Sequence, residues 1–283
     1  MKKEPLFLLI VILAFPHAGV RNSVTHGTII VIGKSPRRVI LAADSRVGRT
    51  QTGVGIESVD DSYCKIAALG GHTVFGSSGV IGNSTTADWT ALSLATAIAT
   101  PSTRMNREEG LKFILSWSNS IIKKLAVFSP EQLSAVALQN DGQITTGVLA
   151  GMNDDGTTWA QAVTVRYSAS VGLTVPTSYD LIAKEHMEYF ALGKGEIVRE
   201  FVDKTSERAK VENAQWAKLK IKRGTRLFDE FEAKRLVDLT IGLEPDKASV
   251  GGPIDEVVLD ARGSRWLSLK PNCQSGSAKR PDR

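Results

Sequence analysis

The runs TIIVIG (Thr28 to Gly33) and VILAA (Val39 to Ala43) are apolar at almost every position, not at alternate ones. A strand with one wet face alternates apolar and polar residues, so continuous runs such as these require cover on both faces. That requirement excludes a lone sheet open to water and calls for packed layers on either side of the strands. With 283 residues, 42% of them hydrophobic, the chain can supply one substantial core, and we read a single domain over 28–270.

The order of the remaining segments extends this reading. CKIAAL and HTVFGS are predicted strands about the Gly70-Gly71 turn. Helical spacing follows from Asp88 to Ile98 and from Glu108 to Val127, bounded by Pro101 and by Ser129-Pro130. LSAVALQ, ITTGVLAGM and TWAQAVTVRY then read as strands, separated by turns at Asn140-Asp141-Gly142 and Asp154-Asp155-Gly156. After EYFAL (Glu188 to Leu192), helical signal resumes from Glu196 to about Lys204 and from Leu227 to Leu243, before a last hairpin of IDEVVLD and RWLSL. The expected fold is α+β, a four-layer αββα sandwich of two antiparallel sheets flanked by helices.

Both ends read as additions to the domain. Lys2 and Lys3 precede the ten-residue apolar run Leu6 to Phe15, which as a helix would rise only about 15 Å, half a bilayer's hydrocarbon thickness. Residues 1–27 are therefore expected to be a secretory signal or hydrophobic pro-segment, with no stable membrane span. The small, polar and charged tail, 271–283, reads as disordered. Cys64 and Cys273 can pair in an oxidising compartment, but two cysteines exclude a disulfide-dense scaffold. The four histidines show no ligand spacing with Cys, Asp or Glu, so no metal and no cofactor is expected. The formal charge of +5 is accounted for by Arg208 to Arg226, which holds seven Lys/Arg against one acid. This segment reads as a solvated helical face or loop, and no nucleic-acid partner is expected.

The chemistry is suggested by the ends of the first hairpin. Pairing Gly33 with Val39 across a KSPRR loop would make residue numbers sum to 72 and set Thr28 opposite Asp44, with Cβ atoms about 4.5–5.5 Å apart. Gly27 brings no Cβ to obstruct attack on the bond that follows it. If Gly27–Thr28 is cut, Thr28 gains an α-amine of ordinary pKa about 7.7–8.0 beside its hydroxyl, a base that needs no histidine.

GTIIVIGKSPRRVILAADSR, followed by CKI and FGSSG, resembles the proteasome family of N-terminal-nucleophile hydrolases, in particular its catalytic β-type subunits and their bacterial relatives. The similarity is densest from Gly27 to Trp89 and returns at VLAGMNDDG, YFALGKG and GGPIDEVVLD. The resemblance implies Thr28 as nucleophile, Lys65 as the neighbouring cation, Asp44 as the carboxylate that holds it charged, and the Gly79 N–H as oxyanion donor. Asp246 and Ser249 match a supporting pair, although Val250 stands between Ser249 and the two glycines. Lys194, in GKG, occupies a place where catalytic members carry serine. Val47, Ala67, Ser77 and Ile81 fall at the substrate-pocket positions and imply a preference for uncharged apolar side chains before the cut bond.

The function expected is thus a threonine-type endopeptidase or amide hydrolase, activated by cleavage at Gly27–Thr28 and acting on peptides or unfolded protein. Alternatives are a non-catalytic scaffold subunit and a binding module that uses the basic Lys218 to Arg226 stretch. The resemblance further implies a homo-oligomer, ring-shaped in the family. Location follows the leader: exported, to periplasm or medium, if it is a signal peptide, and cytoplasmic otherwise.

Overall fold

The computed structural model describes residues 24–27, 29–50, 58–83, 89–99, 104–218, 225–245, 249–271 and 273. Residues 1–23 of the expected leader, Thr28, Asp246, residues 219–224 of the basic segment and the tail from 274 lie outside the described residues.

In chain order the elements are β1 (Val24–Gly27), β2 (Ile29–Ser35), β3 (Arg38–Ala43), β4 (Val47–Thr50), β5 (Ser58–Asp60), β6 (Ile66–Gly70) and β7 (Thr73–Asn83). Helices α1 (Ala91–Ile98), α2 (Arg107–Leu125) and α3 (Pro130–Gln139) follow, then β8 (Gln143–Met152), β9 (Thr158–Ser168), β10 (Gly172–Asp180) and β11 (Glu188–Gly193). Last come α4 (Glu196–Asp203), α5 (Glu207–Ala217), α6 (Arg226–Leu243), β12 (Asp255–Asp260) and β13 (Gly263–Ser268).

All strand pairs are antiparallel. One sheet runs β10-β9-β8-β7-β1-β4-β5, with β6 pairing β7 off that path, and the other runs β11-β2-β3-β12-β13. The fork arises because β7 is 11 residues long: Thr73–Gly76 pairs with β6, and Gly79–Asn83 pairs with β1. This corrects the expected fold. Among the described residues the protein is mixed α/β, 39% strand and 34% helix, with 13 strands that all pair antiparallel, and a four-layer αββα sandwich is not evident.

Two further expectations need correction. In the first hairpin Gly33 pairs with Ile40 and Lys34 with Val39, so residue numbers sum to 73, not 72. The turn is only Pro36-Arg37, because Lys34 and Ser35 still belong to β2 and Arg38 already belongs to β3. A slip of one residue changes every cross-strand partner. LSAVALQ is not a strand but the body of α3: the Ser129 hydroxyl accepts from Gln132 N–H at 3.3 Å, the Gln132 side chain accepts from Ser129 N–H at 3.1 Å, and Pro130 opens the helix. Both features are strong helix-start signals.

β2 bears out the demand for cover on both faces. Ile30 and Ile32 join an apolar cluster with Leu41, Val148 and Val257, whereas Ile29 and Val31 join another with Phe201, Leu236 and Val258. A third cluster gathers Phe75, Trp117, Leu133 and Val163. Among the described residues, no helix is long and apolar enough to cross a membrane. In the basic segment Arg208 pairs with Glu200, Lys210 with Glu207 and Arg226 with Glu230, so several of its cations are matched within the chain.

Candidate active site

Lys65 and Asp44 form a buried ion pair. Lys65 stands at the entry to β6, Asp44 just beyond the end of β3, and Lys65 Nζ lies 2.5 Å from Asp44 Oδ1 with both side chains 0% exposed. Two backbone donors also reach the carboxylate: Ile29 N–H meets Oδ1 at 3.3 Å and Gly251 N–H meets Oδ2 at 3.0 Å. Burial pulls the Lys65 ammonium below the usual lysine range, opposed by the charge and hydrogen bond of Asp44. Removing one partner from such a pair typically costs about 3–5 kcal/mol, because the other is left buried and uncompensated.

The pair lies against the junction that sequence singled out. An ideal Cβ on Gly27 would meet Lys65 Cε at 2.6 Å, Ile81 Cδ1 at 2.9 Å and Lys65 Nζ at 3.2 Å, so glycine is required for the ammonium to approach so closely. The residue before position 28 thus abuts the Lys65 head group, and the residue after it donates to Asp44. Thr28 itself and Asp246 lie outside the described residues.

Gly79 is the registered partner of Gly27 across the β1–β7 ladder, which sets the two backbones about 5 Å apart. Its φ of +85° lies in the left-handed region, and an added Cβ would meet the Ile144 carbonyl oxygen at 2.4 Å, so this position also excludes larger residues. Gly193 is registered with Ile29 on the β11–β2 ladder. A polar cavity of about 500 Å³ touches both glycines and is lined further by Thr145, Thr146, Lys194 and Arg199. Lys194 forms an ion pair with Glu244 at 3.4 Å.

The residues expected to line a substrate pocket are mostly enclosed. Val47 is registered with Gly27 on the β1–β4 ladder, Ile81 packs against the same glycine, and both belong to the cluster around Trp117. Ala67 is partly buried against that cluster, and buried Ser77 donates its N–H to the Lys65 carbonyl at 3.0 Å. Ser249 is buried, and Val250, which separates it from Gly251, fills the cluster beside Phe201 and Leu236.

Sequence reasoning missed several supports. Gly251 is one: besides holding Asp44, its carbonyl accepts from Ser45 and Arg46 N–H at 3.1 and 2.9 Å. Arg46 forms a two-point ion pair with Asp61, each contact 2.6 Å. Lys270, buried in an ion pair with Asp255 at 2.7 Å, is another, while the pairing of Cys64 with Cys273 that the sequence left open is present as a disulfide. No protein-family model matches the chain, and no curated protein matches it either.

Proposed function

We propose that the chain is an amide hydrolase of the threonine N-terminal-nucleophile type, made as a precursor and activated by cleavage at Gly27–Thr28. The observation that carries this reading is that both chain neighbours of position 28 touch the buried Lys65–Asp44 pair: Gly27 through its close approach to the ammonium and Ile29 through its N–H. On this reading Lys65 is the cation that favours the ionised form of the Thr28 hydroxyl, and the freed amine accepts its proton. Gly79 supplies an unhindered backbone opposite the cut bond, as an oxyanion donor requires.

The course of β1 supports a peptide as substrate. β1 is held as an antiparallel strand between β4 and β7, with Val24–Gly27 registered against Val47–Thr50 on one side and Gly79–Asn83 on the other. Removal of the leader leaves a slot with two pairing edges, suited to an extended chain. Val47 and Ile81 border the place of Gly27, which favours an uncharged apolar residue before the cut bond. On the same reading the chain acts on peptides or unfolded protein and assembles as a homo-oligomer.

The test compares wild type with Thr28→Ala. In wild type, intact mass is expected to show a chain beginning at Thr28, and fluorogenic peptides are expected to be cleaved fastest after apolar residues. In Thr28→Ala both activities are expected to fall to background. Hydrolysis that survives in the variant moves the nucleophile elsewhere, and a wild-type chain that assembles but is never cut at this bond favours a non-catalytic scaffold.

A further inference from the structure

We propose that Leu269 to Pro271, together with Cys273, form a disulfide-latched strap that positions Lys65, so that the thiol–disulfide state of Cys64–Cys273 governs the placement of this cation. The catalytic consequence rests on the function proposed above; the latch itself does not.

Two contacts bind the strap to the strand entry that carries Lys65, and three more tie the strap to β12 and Tyr63 to β7. The disulfide joins Cys64, the residue before Lys65, to Cys273 across 209 residues of sequence, with Cα atoms 5.7 Å apart. Lys270 Nζ donates to the Tyr63 carbonyl at 2.6 Å, one residue further back. The same ammonium pairs with Asp255 Oδ2 at 2.7 Å, and Lys270 N–H donates to Asp255 Oδ1 at 2.9 Å. The Tyr63 hydroxyl donates to the Ile81 carbonyl at 3.1 Å, and Ile81 packs on Gly27.

Asp255 links the strap to the other half of the site. It opens β12 and is registered with Ala43, the residue before Asp44. The carboxylate that holds the strap therefore sits opposite the last residue of β3, one position before the carboxylate that holds Lys65. Residues 43–44 and 63–65 share one buried support, and the covalent part of that support is the disulfide. A merely structural cross-link could join any two loops, whereas this one fixes the residue next to the candidate cation.

The switch needs a dithiol reductant. It delivers two electrons and two protons: the Sγ–Sγ bond breaks, each sulfur gains a proton, and the reductant closes its own disulfide. Cys273 is buried while Cys64 is only half-buried, so attack is directed to the Cys64 side. After reduction Lys270 still pairs with Asp255, so the strap loosens locally without unfolding the protein.

The experiment treats the full chain with a dithiol at neutral pH, and uses the Cys64→Ser/Cys273→Ser double variant as a second route to the open latch. Hydrogen exchange of peptides covering 61–68 and 267–271 is expected to rise about tenfold or more while β8 and β9 keep their protection. Peptide hydrolysis is expected to lose roughly tenfold or more in kcat, with KM within about twofold, because small misplacements of a reacting group are costly and substrate contacts persist. Unchanged exchange at 61–68 with the disulfide shown to be open overturns the latch. Local opening with unchanged kcat overturns its role in positioning Lys65. In a chain that hydrolyses nothing, the function proposed above fails, and the exchange measurement alone still decides for or against the latch.

Discussion

Gly27 shows how little room separates β1 from the ion pair. A methyl group there would fall 2.6 Å from Lys65 Cε and 2.9 Å from Ile81 Cδ1, so either the lysine or β1 has to move. Overpacking of this kind typically costs about 1–3 kcal/mol. Gly27→Ala is therefore expected to slow cleavage at the Gly27–Thr28 bond by about tenfold or more, read as the intact mass of the purified chain over time. Processing at the wild-type rate would show that the ammonium is not held where Gly27 meets it. At this scale the resemblance pointed to Asp44, Lys65 and Gly79, which the structure gathers around the junction. It did not supply the Gly251 N–H, whose contact with Asp44 joins residues 207 positions apart. The register was missed because a two-residue Pro36-Arg37 turn and a five-residue loop fit the same letters, and only sheet geometry distinguishes them.

Helix α3 separates local chemistry from pattern. LSAVALQ mixes apolar and small residues in a way that fits either period, and the deciding information lies just upstream, in the Ser129 cap, Pro130 and Gln132. Ser129→Ala removes the acceptor for Gln132 N–H and is expected to lower stability by about 1 kcal/mol, measured as a shift in denaturant midpoint at unchanged slope. A neutral outcome would mean that tertiary packing, not the cap, holds α3. β1, β4, β5 and β10 escaped the sequence reading for a different reason. Three of them are short, and β10 is broken by a register shift between Thr174 and Thr177, so none displays a clean alternation. The long helices α2 and α6 were legible because many turns repeat the same spacing.

Taken whole, the molecule carries a built-in pH dependence at the face of β12 that meets α6. Glu256 is buried with its Oε1 lacking a partner among the described residues, and burial, aided by Glu230 and Asp238 against Lys234 and Arg265, pushes its carboxyl up to about 8. Because its folded value lies above its ordinary one, the stabilisation is complete below about pH 4.5 and is lost as pH rises through about 8. At about 1.4 kcal/mol per tenfold change in proton affinity, that loss approaches roughly 5 kcal/mol. Glu256→Gln is expected to flatten the profile and to be the more stable protein at pH 9, as read from denaturation midpoints at pH 5 and pH 9. A wild-type profile already flat across that interval would place the carboxyl in water. The global arrangement was the least legible level: composition and doubly apolar strands demanded cover on both faces, but the fork at β7 depends on one strand changing partners midway, which no local pattern encodes.

The placement of β1 carries one more consequence. If Gly27–Thr28 is cut as proposed, scission severs a covalent bond but none of the ladder bonds to β4 and β7, so the excised fragment would begin its separate existence as a tenant of the groove it must vacate. Onset of turnover then trails the cut by the residence time of that fragment, and added synthetic leader would restore the delay.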